Sequence, residues 1–182
     1  MKIAVVGRGN VGGGLADVWE RAGHDVTRIG KDGGDVSDAD AVLLAVPGGA
    51  VADAFETVTG WAGNTVIDAT NLVGAEPPSG ASSNAEFVKS KTNGPTAKSF
   101  NLNFAVLYDR LDDTNAKPSN IWSGDEEARA VVEQLIRDAG YEPFYAGPLE
   151  NAAAQEAAIR LFFGMAQANG QFFYRFATPD DF

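Results

Sequence analysis

Three glycines stand at positions i, i+2 and i+5 near the start of the chain, in Gly7-Arg8-Gly9-Asn10-Val11-Gly12. Such a string alone says little, because turns use glycine freely. Here it follows the apolar run Lys2-Ile3-Ala4-Val5-Val6 and precedes Leu15, Val18, Trp19 and Ala22 at helical spacing. In that context each glycine has its own physical duty. Gly7 permits a tight turn, Gly9 lets the backbone approach a pyrophosphate, and Gly12 lets helix and strand pack closely. The helix N-terminus then presents its free amides to the anion. Gly7, Arg8, Gly9, Asn10, Val11 and Gly12 therefore read as the phosphate-binding turn for a dinucleotide. An ordinary glycine turn leaves the three spacings without a common cause.

The end of the next strand distinguishes one nicotinamide cofactor from the other. NAD enzymes place an acid there for the ribose hydroxyls, and NADP enzymes a base for the 2'-phosphate. The segment reads Thr27-Arg28-Ile29-Gly30-Lys31, with no acid at its tip. Arg28 and Lys31 flank Gly30, and Arg8 adds a third base, so NADP is favoured, while Asp32 keeps NAD open. Later strand ends supply further candidates at Val46-Pro47 and Ala69-Thr70-Asn71, on the sheet edge where cofactors bind. Pro47 and Asn71 are expected to shape the nicotinamide pocket. Asn71 and Asn101 could bond a carboxamide or an acceptor ring, and satisfying loop backbone accounts for them equally well. Glu156, among alanines, reads as a solvated surface acid. With no cysteine and one histidine, thiol chemistry is excluded and a metal mechanism is not expected.

The elements that must position these residues follow a βα alternation. Strand 2–6, a helix closed by Gly23, and strand Asp25 to Ile29 make one βαβ unit. A full doubly wound fold next needs a helix and a strand, but Gly30-Lys31-Asp32-Gly33-Gly34-Asp35 leads almost directly to a strand from Ala41 to Val46. A helix Val51 to Val58 and a strand Thr65 to Asp68 follow. After a Pro-, Gly- and Ser-rich loop from Leu72 to Ser82, Ser83 and Glu86 have capping-box spacing and open a helix to about Lys89. A strand Ala97 to Asn101 comes next. The second half reads as a strand at Ile121 to Ser123, a helix with Val131, Val132, Leu135 and Ile136 on its apolar face, and a strand Glu142 to Tyr145. A helical segment starts at Leu149, with breaks allowed at Gly164 or Gly170. The expected fold class is α/β: a Rossmann-type doubly wound, mainly parallel sheet with an abbreviated crossover after strand two and a C-terminal helical extension. Residues 1–118 would form the dinucleotide-binding domain, and 119–182 an extension packed on it that forms a dimer interface.

A chain of 182 residues with 45% hydrophobic content can bury a proper core. Its net charge of -11 opposes nucleic acid and anionic lipid. The first apolar run is too short for a signal peptide, so a cytoplasmic location is expected. Phe162, Phe163, Phe172, Phe173, Tyr174 and Phe176 concentrate aromatic area near the C-terminus. Core packing or a homodimer interface explains them more simply than flavin stacking. Arg160, Gln167, Asn169, Gln171 and Arg175 interrupt them, leaving no apolar stretch of the roughly 20 residues that a membrane span needs.

The strings Ala4-Val5-Val6-Gly7-Arg8-Gly9-Asn10-Val11-Gly12, Leu44-Ala45-Val46-Pro47, Val66-Ile67-Asp68-Ala69-Thr70-Asn71, Lys98-Ser99-Phe100-Asn101 and Ala146-Gly147-Pro148-Leu149 cover nearly the whole chain. In that order they resemble the NADP oxidoreductases dependent on the deazaflavin coenzyme F-420. The abbreviated crossover resembles a shorter branch of dinucleotide-binding oxidoreductases. The resemblance implies direct hydride transfer between a nicotinamide and a second ring stacked on it, which needs positioning rather than a nucleophile or metal. The implied small-molecule acceptor is coenzyme F-420 or another flavin. The deazaflavin's anionic tail calls for bases at the pocket mouth, and Lys98, Arg160 and Arg175 are the best placed in sequence. Asn101 and Lys98 are thus the expected acceptor-side residues. A reductase of ferric or cupric complexes, and a non-catalytic NADP sensor binding a protein partner, are the alternatives.

Overall fold

Strand β1 (Lys2–Val6) has water on neither face. Ile3 and Val5 enter one hydrophobic core while Ala4 and Val6 enter another, which is why the strand reads as continuous apolar residues rather than an alternation. The computed structural model describes residues 1–179. The other strands of its main sheet are β2 (Asp25–Ile29), β3 (Ala41–Leu44), β4 (Thr65–Asp68), β5 (Thr96–Lys98), β6 (Ser119–Gly124) and β7 (Glu142–Tyr145). Their spatial order is β2-β1-β3-β4-β5-β6-β7. Strands β1 to β5 are parallel, β6 runs antiparallel to β5, and β7 is parallel to β6. The residues after 118 thus continue the same sheet.

Helix α1 (Asn10–Arg21) and helix α4 (Arg129–Asp138) cover one face, with Trp19, Val132, Leu135 and Ile136 in the core beside Ile3 and Val5. The other face is covered by α2 (Val51–Thr57) and α3 (Asn84–Thr92), which bury Val51, Ala54, Phe87 and Val88. The Trp19 indole nitrogen donates to the Leu135 carbonyl at 2.9 Å, tying α1 to α4. The expected sheet and its abbreviated crossover are both present. Between β2 and β3 there is no helix, only the two-residue strand Gly34–Asp35, which pairs with Val58–Thr59 in a separate ribbon. Strand β2 is left at the edge of the main sheet. Gly33, at φ 78°, passes so close to the end of α2 that a Cβ would strike the Thr57 carbonyl oxygen.

Three local readings need correction, and one that left two breaks open is decided. Strand β3 ends at Leu44, not Val46. Strand β5 ends at Lys98 rather than Asn101, because Phe100 turns into the left-handed region at φ 61°. Asn120 holds that turn: its Oδ1 accepts from the Ser99 hydroxyl at 2.7 Å and from the Phe100 amide at 3.4 Å. Helix α5 (Ala152–Asn169) runs unbroken through Gly164 and stops at Gly170, whose φ is 79°. The helix after Ser83 extends to Thr92, ended by Asn93 in the left-handed region. Its Ser83 hydroxyl accepts from the Glu86 amide as expected, while the Glu86 carboxylate reaches the amide of Ser82 rather than that of Ser83. The 3-10 segment Ala105–Asp113, which the sequence pattern did not announce, packs Tyr108 onto α1 at Gly14, where a Cβ would lie 2.6 Å from the ring.

Phe162 packs against Phe172 and Tyr174, so part of the aromatic cluster is core. Leu161, Phe163 and Phe176 remain exposed. Among the described residues, no helix is long and apolar enough to cross a membrane.

Candidate functional site

The glycine turn joins β1 to α1 at the carboxyl end of the sheet, where β2 and β3 diverge on either side of β1. Two of its three glycines are required by the fold, and the third is not. Gly7 has φ 109°, and a Cβ there would collide with the Ala45 carbonyl oxygen. A Cβ on Gly12 would collide with the carbonyl oxygen of Gly7. Gly9 is the opposite case: its φ of -77° suits any residue, and no atom lies within 4 Å of a Cβ built on it. That empty space belongs to a cleft of about 960 Å³. Helix α1 starts beside it with no side-chain cap on its first turn.

The cleft floor is the glycine turn and Ala45-Val46-Pro47. One wall is Gly30-Lys31-Asp32 at the end of β2, and the other is α2, through Ala50, Asp53, Ala54, Thr57 and Val58. With the usual crossover reduced to a loop, α2 itself closes the far side. Arg8 and Lys31 both line the cleft. The Arg8 guanidinium lies across Gly30, where a Cβ would overlap it, so a larger residue at 30 would displace this cation. Arg28 does not line the cleft. It projects toward α1, donating to Asp17 Oδ1 and Glu20 Oε2, each at 2.7 Å, and these carboxylates raise its pKa further. Its expected place beside a nucleotide phosphate is therefore corrected: alternation along β2 puts it on the α1 side, opposite buried Ile29.

Asn71 and Asn101 do come together, as a reciprocal pair. The Asn71 amide donates to the Asn101 carbonyl at 2.8 Å, and the Asn101 amide donates to Asn71 Oδ1 at 2.9 Å. Gln155 of α5 donates to Asn101 Oδ1 at 2.8 Å and accepts from the Ser123 hydroxyl at 2.9 Å. The two asparagines mainly satisfy one another and the adjoining backbone.

Lys98 and Glu156 depart most from expectation. Lys98 is fully buried, so it stands at no pocket mouth. Its ammonium donates to Asp68 Oδ2 at 2.8 Å, to the Thr70 carbonyl at 2.5 Å and to Glu156 Oε1 at 2.6 Å. Glu156 is likewise buried rather than solvated. Burial pushes its carboxyl above the usual carboxylate range, opposed by Lys98 and reinforced by Asp68. Such a group favours the fold most when protonated. Its contribution is full below the ordinary carboxylate pKa and declines as pH rises through the raised one. Glu156→Gln, which mimics the neutral acid and leaves the Lys98–Asp68 pair in place, is expected to flatten the fall of melting temperature as pH rises above the ordinary carboxylate range. An unchanged pH profile in thermal melts of the variant would count against this assignment.

Asn84, Gln155 and the cleft-facing side of α2 carried no signal that sequence reading used, and Thr70 stood only in the strand-end string with Asn71. Asp68 and Lys98 stood in strings singled out for other reasons, but nothing in sequence spacing shows that residues 68, 98 and 156 meet.

No family model and no curated protein sequence matches the chain. Solved structures do. A chain from Arthrobacter sp. FB24, described as a candidate F-420-dependent NADP reductase, superposes with a TM-score of 0.81 at 23% identity, covering 98% of this chain and 100% of its own. A Sinorhizobium meliloti protein described as hypothetical superposes at 0.69 and 24% identity, over 84% of this chain and 88% of its own. A reductive aminase from Aspergillus terreus, in complex with NADPH and ethyl levulinate, superposes at 0.66 and 17% identity over 92% of this chain and 61% of its own. At such identities the likeness is one of fold.

Proposed function

We propose that this chain is an NADP(H)-dependent oxidoreductase that passes hydride between nicotinamide and a deazaflavin or flavin-like acceptor. One observation carries the reading: the Gly7-Gly9-Gly12 cradle opens on a cleft whose β2 side presents Arg8 and Lys31. The open space at Gly9 suits a pyrophosphate, the turn and the start of α1 supply amides to it, and the two bases suit a 2'-phosphate. Val46 and Pro47 lie on the cleft floor, and Ala69 and Asn71 stand at the next strand end. The fold likeness to the structures above, among them an NADPH complex, supports the same reading. Bound NADPH would supply a hydride at its nicotinamide ring. The protein's part is to hold that ring and exclude water, which calls for no nucleophilic side chain. The exposed Leu161 and Phe163 on α5 suit a homodimer contact.

Steady-state NADPH oxidation against deazaflavin, flavin and ferric acceptors is the test. The deazaflavin is expected to turn over, with a KM that rises with salt. Arg160 and Arg175 are exposed, and attraction to its anionic tail is screened beyond about 10 Å at 0.1 M salt. The Arg160→Ala, Arg175→Ala double variant should raise that KM and lose the salt dependence. Turnover of ferric complexes alone would give the metal-reductase reading. NADPH binding with no acceptor reduced would make the chain a sensor.

A further inference from the structure

We infer that Glu156, on the C-terminal helix, is a positioning residue for the cleft and acts through Asn84 on the turn from Pro47 to Ala50. The role in nucleotide binding rests on the function proposed above; the mechanical link does not.

The link is continuous in hydrogen bonds. Glu156 Oε1 accepts from the backbone amide of Asn84 at 3.1 Å. Asn84 is the first residue of α3, so its amide is one of the donors that a helix leaves unpaired. The fully buried Asn84 side chain in turn uses its amide group twice, donating to the Gly48 carbonyl at 3.0 Å and to the Thr70 hydroxyl at 2.9 Å. Gly48 begins the turn that follows Pro47, closed by the Ala50 amide donating to the Pro47 carbonyl at 2.8 Å. Pro47 and Ala50 both line the cleft. On its other side this turn has no room to retreat, since a Cβ on Gly48 would strike the carbonyl oxygen of Asn71. Asn84 therefore sets where the turn sits.

A structural staple for α5 would need only the Lys98–Glu156 ion pair, and a buried charge pair is an expensive staple compared with apolar packing. The second bond of the same oxygen, to Asn84, is what a staple does not require. Lys98 steadies the other contact of Asn84, because its ammonium binds the Thr70 carbonyl and the Asp68 carboxylate. Asp68 Oδ1 also accepts from the Thr70 amide at 2.9 Å.

The experiment compares Glu156→Ala with Glu156→Gln, whose side-chain oxygen still accepts from Asn84 and Lys98. Two readouts are taken: NADPH affinity by fluorescence titration, and amide hydrogen exchange at Ala50 in the nucleotide-free protein. Glu156→Ala is expected to speed exchange at Ala50 while leaving β1 unchanged, and to weaken NADPH on the order of tenfold, about what one net hydrogen bond is worth. Glu156→Gln should restore both. If Glu156→Ala lowers the melting temperature but leaves Ala50 exchange at the wild-type rate, Glu156 is a staple and the inference is wrong. If the wild-type protein does not bind NADPH, the nucleotide reading fails on its own, and the exchange comparison still decides the link. Should Glu156→Ala not fold, Asn84→Ala cuts the chain at its next member while keeping the bond from residue 84's amide to Glu156; it must speed exchange at Ala50 over the wild type, and a wild-type rate there overturns the link.

Discussion

Gly9→Val is expected to abolish measurable NADPH binding while leaving the fold in place. The backbone at residue 9 already has a φ that valine adopts, and the new Cβ meets no protein atom within 4 Å. The branched side chain would instead fill the space against the turn that a pyrophosphate needs. Loss of the close backbone approach removes several charge-assisted bonds at about 1.5–3 kcal/mol each, so affinity should fall more than 100-fold. The melting temperature should drop by only a few degrees, about what losing glycine as an N-cap costs. Gly12→Val is the control: its Cβ collides with the Gly7 carbonyl, so fold and binding should fail together. A Gly9→Val protein that binds NADPH like the wild type, in a fluorescence titration, would remove the cleft's assignment.

The second large effect concerns cofactor choice. Arg8→Ala with Lys31→Ala should weaken NADPH by roughly 10²–10³-fold, from two charge-assisted bonds at about 1.5–3 kcal/mol each, offset in part by exposure to solvent. NADH, which lacks the extra phosphate, should change little. Arg28→Ala should alter neither, since Asp17 and Glu20 hold that guanidinium on the α1 side of β2. Equal losses for both nucleotides in the double variant would mean that Arg8 and Lys31 do not read the 2'-phosphate. A selective loss in Arg28→Ala would mean that its ion pairs open to admit the ligand.

What could be read from sequence divides along a physical line. The βαβ unit, the abbreviated crossover and the separate duties of Gly7 and Gly12 are local matters, written in apolar runs and glycine spacing. The strand Glu142–Tyr145 was legible for the same reason. Side-chain partnership across the sheet was not. Arg28, Lys98 and Glu156 carry the same charges wherever they point, and their destinations depend on strand parity and on which helix crosses which strand end. Lys98 lies two residues before a phenylalanine in a left-handed turn, and no propensity forecasts that a bulky residue will take that conformation. The glycine turn and two of the three bases named with it, Arg8 and Lys31, do line the cleft. The site's supporting half, Asn84 with the Lys98 cluster, appears only when α3 and α5 are placed on the sheet.

The lining of the cleft has a consequence for the order in which the molecule is made. Every residue lining it lies between Val6 and Val58, within β1, α1, β2, β3, α2 and their connections. A ribosome adding about 5–20 residues per second takes roughly 6–25 s to add the 124 residues that follow Val58 in this sequence. During that interval the growing chain already carries the components of the proposed nucleotide site. Nucleotide at 100 times its Kd for that partial site would stabilise it by about 2.7 kcal/mol through mass action alone. The cofactor is then expected to act as a template for the first three strands before the last four exist. Asn84, and later Glu156, arrive to tighten a grip that has begun to close.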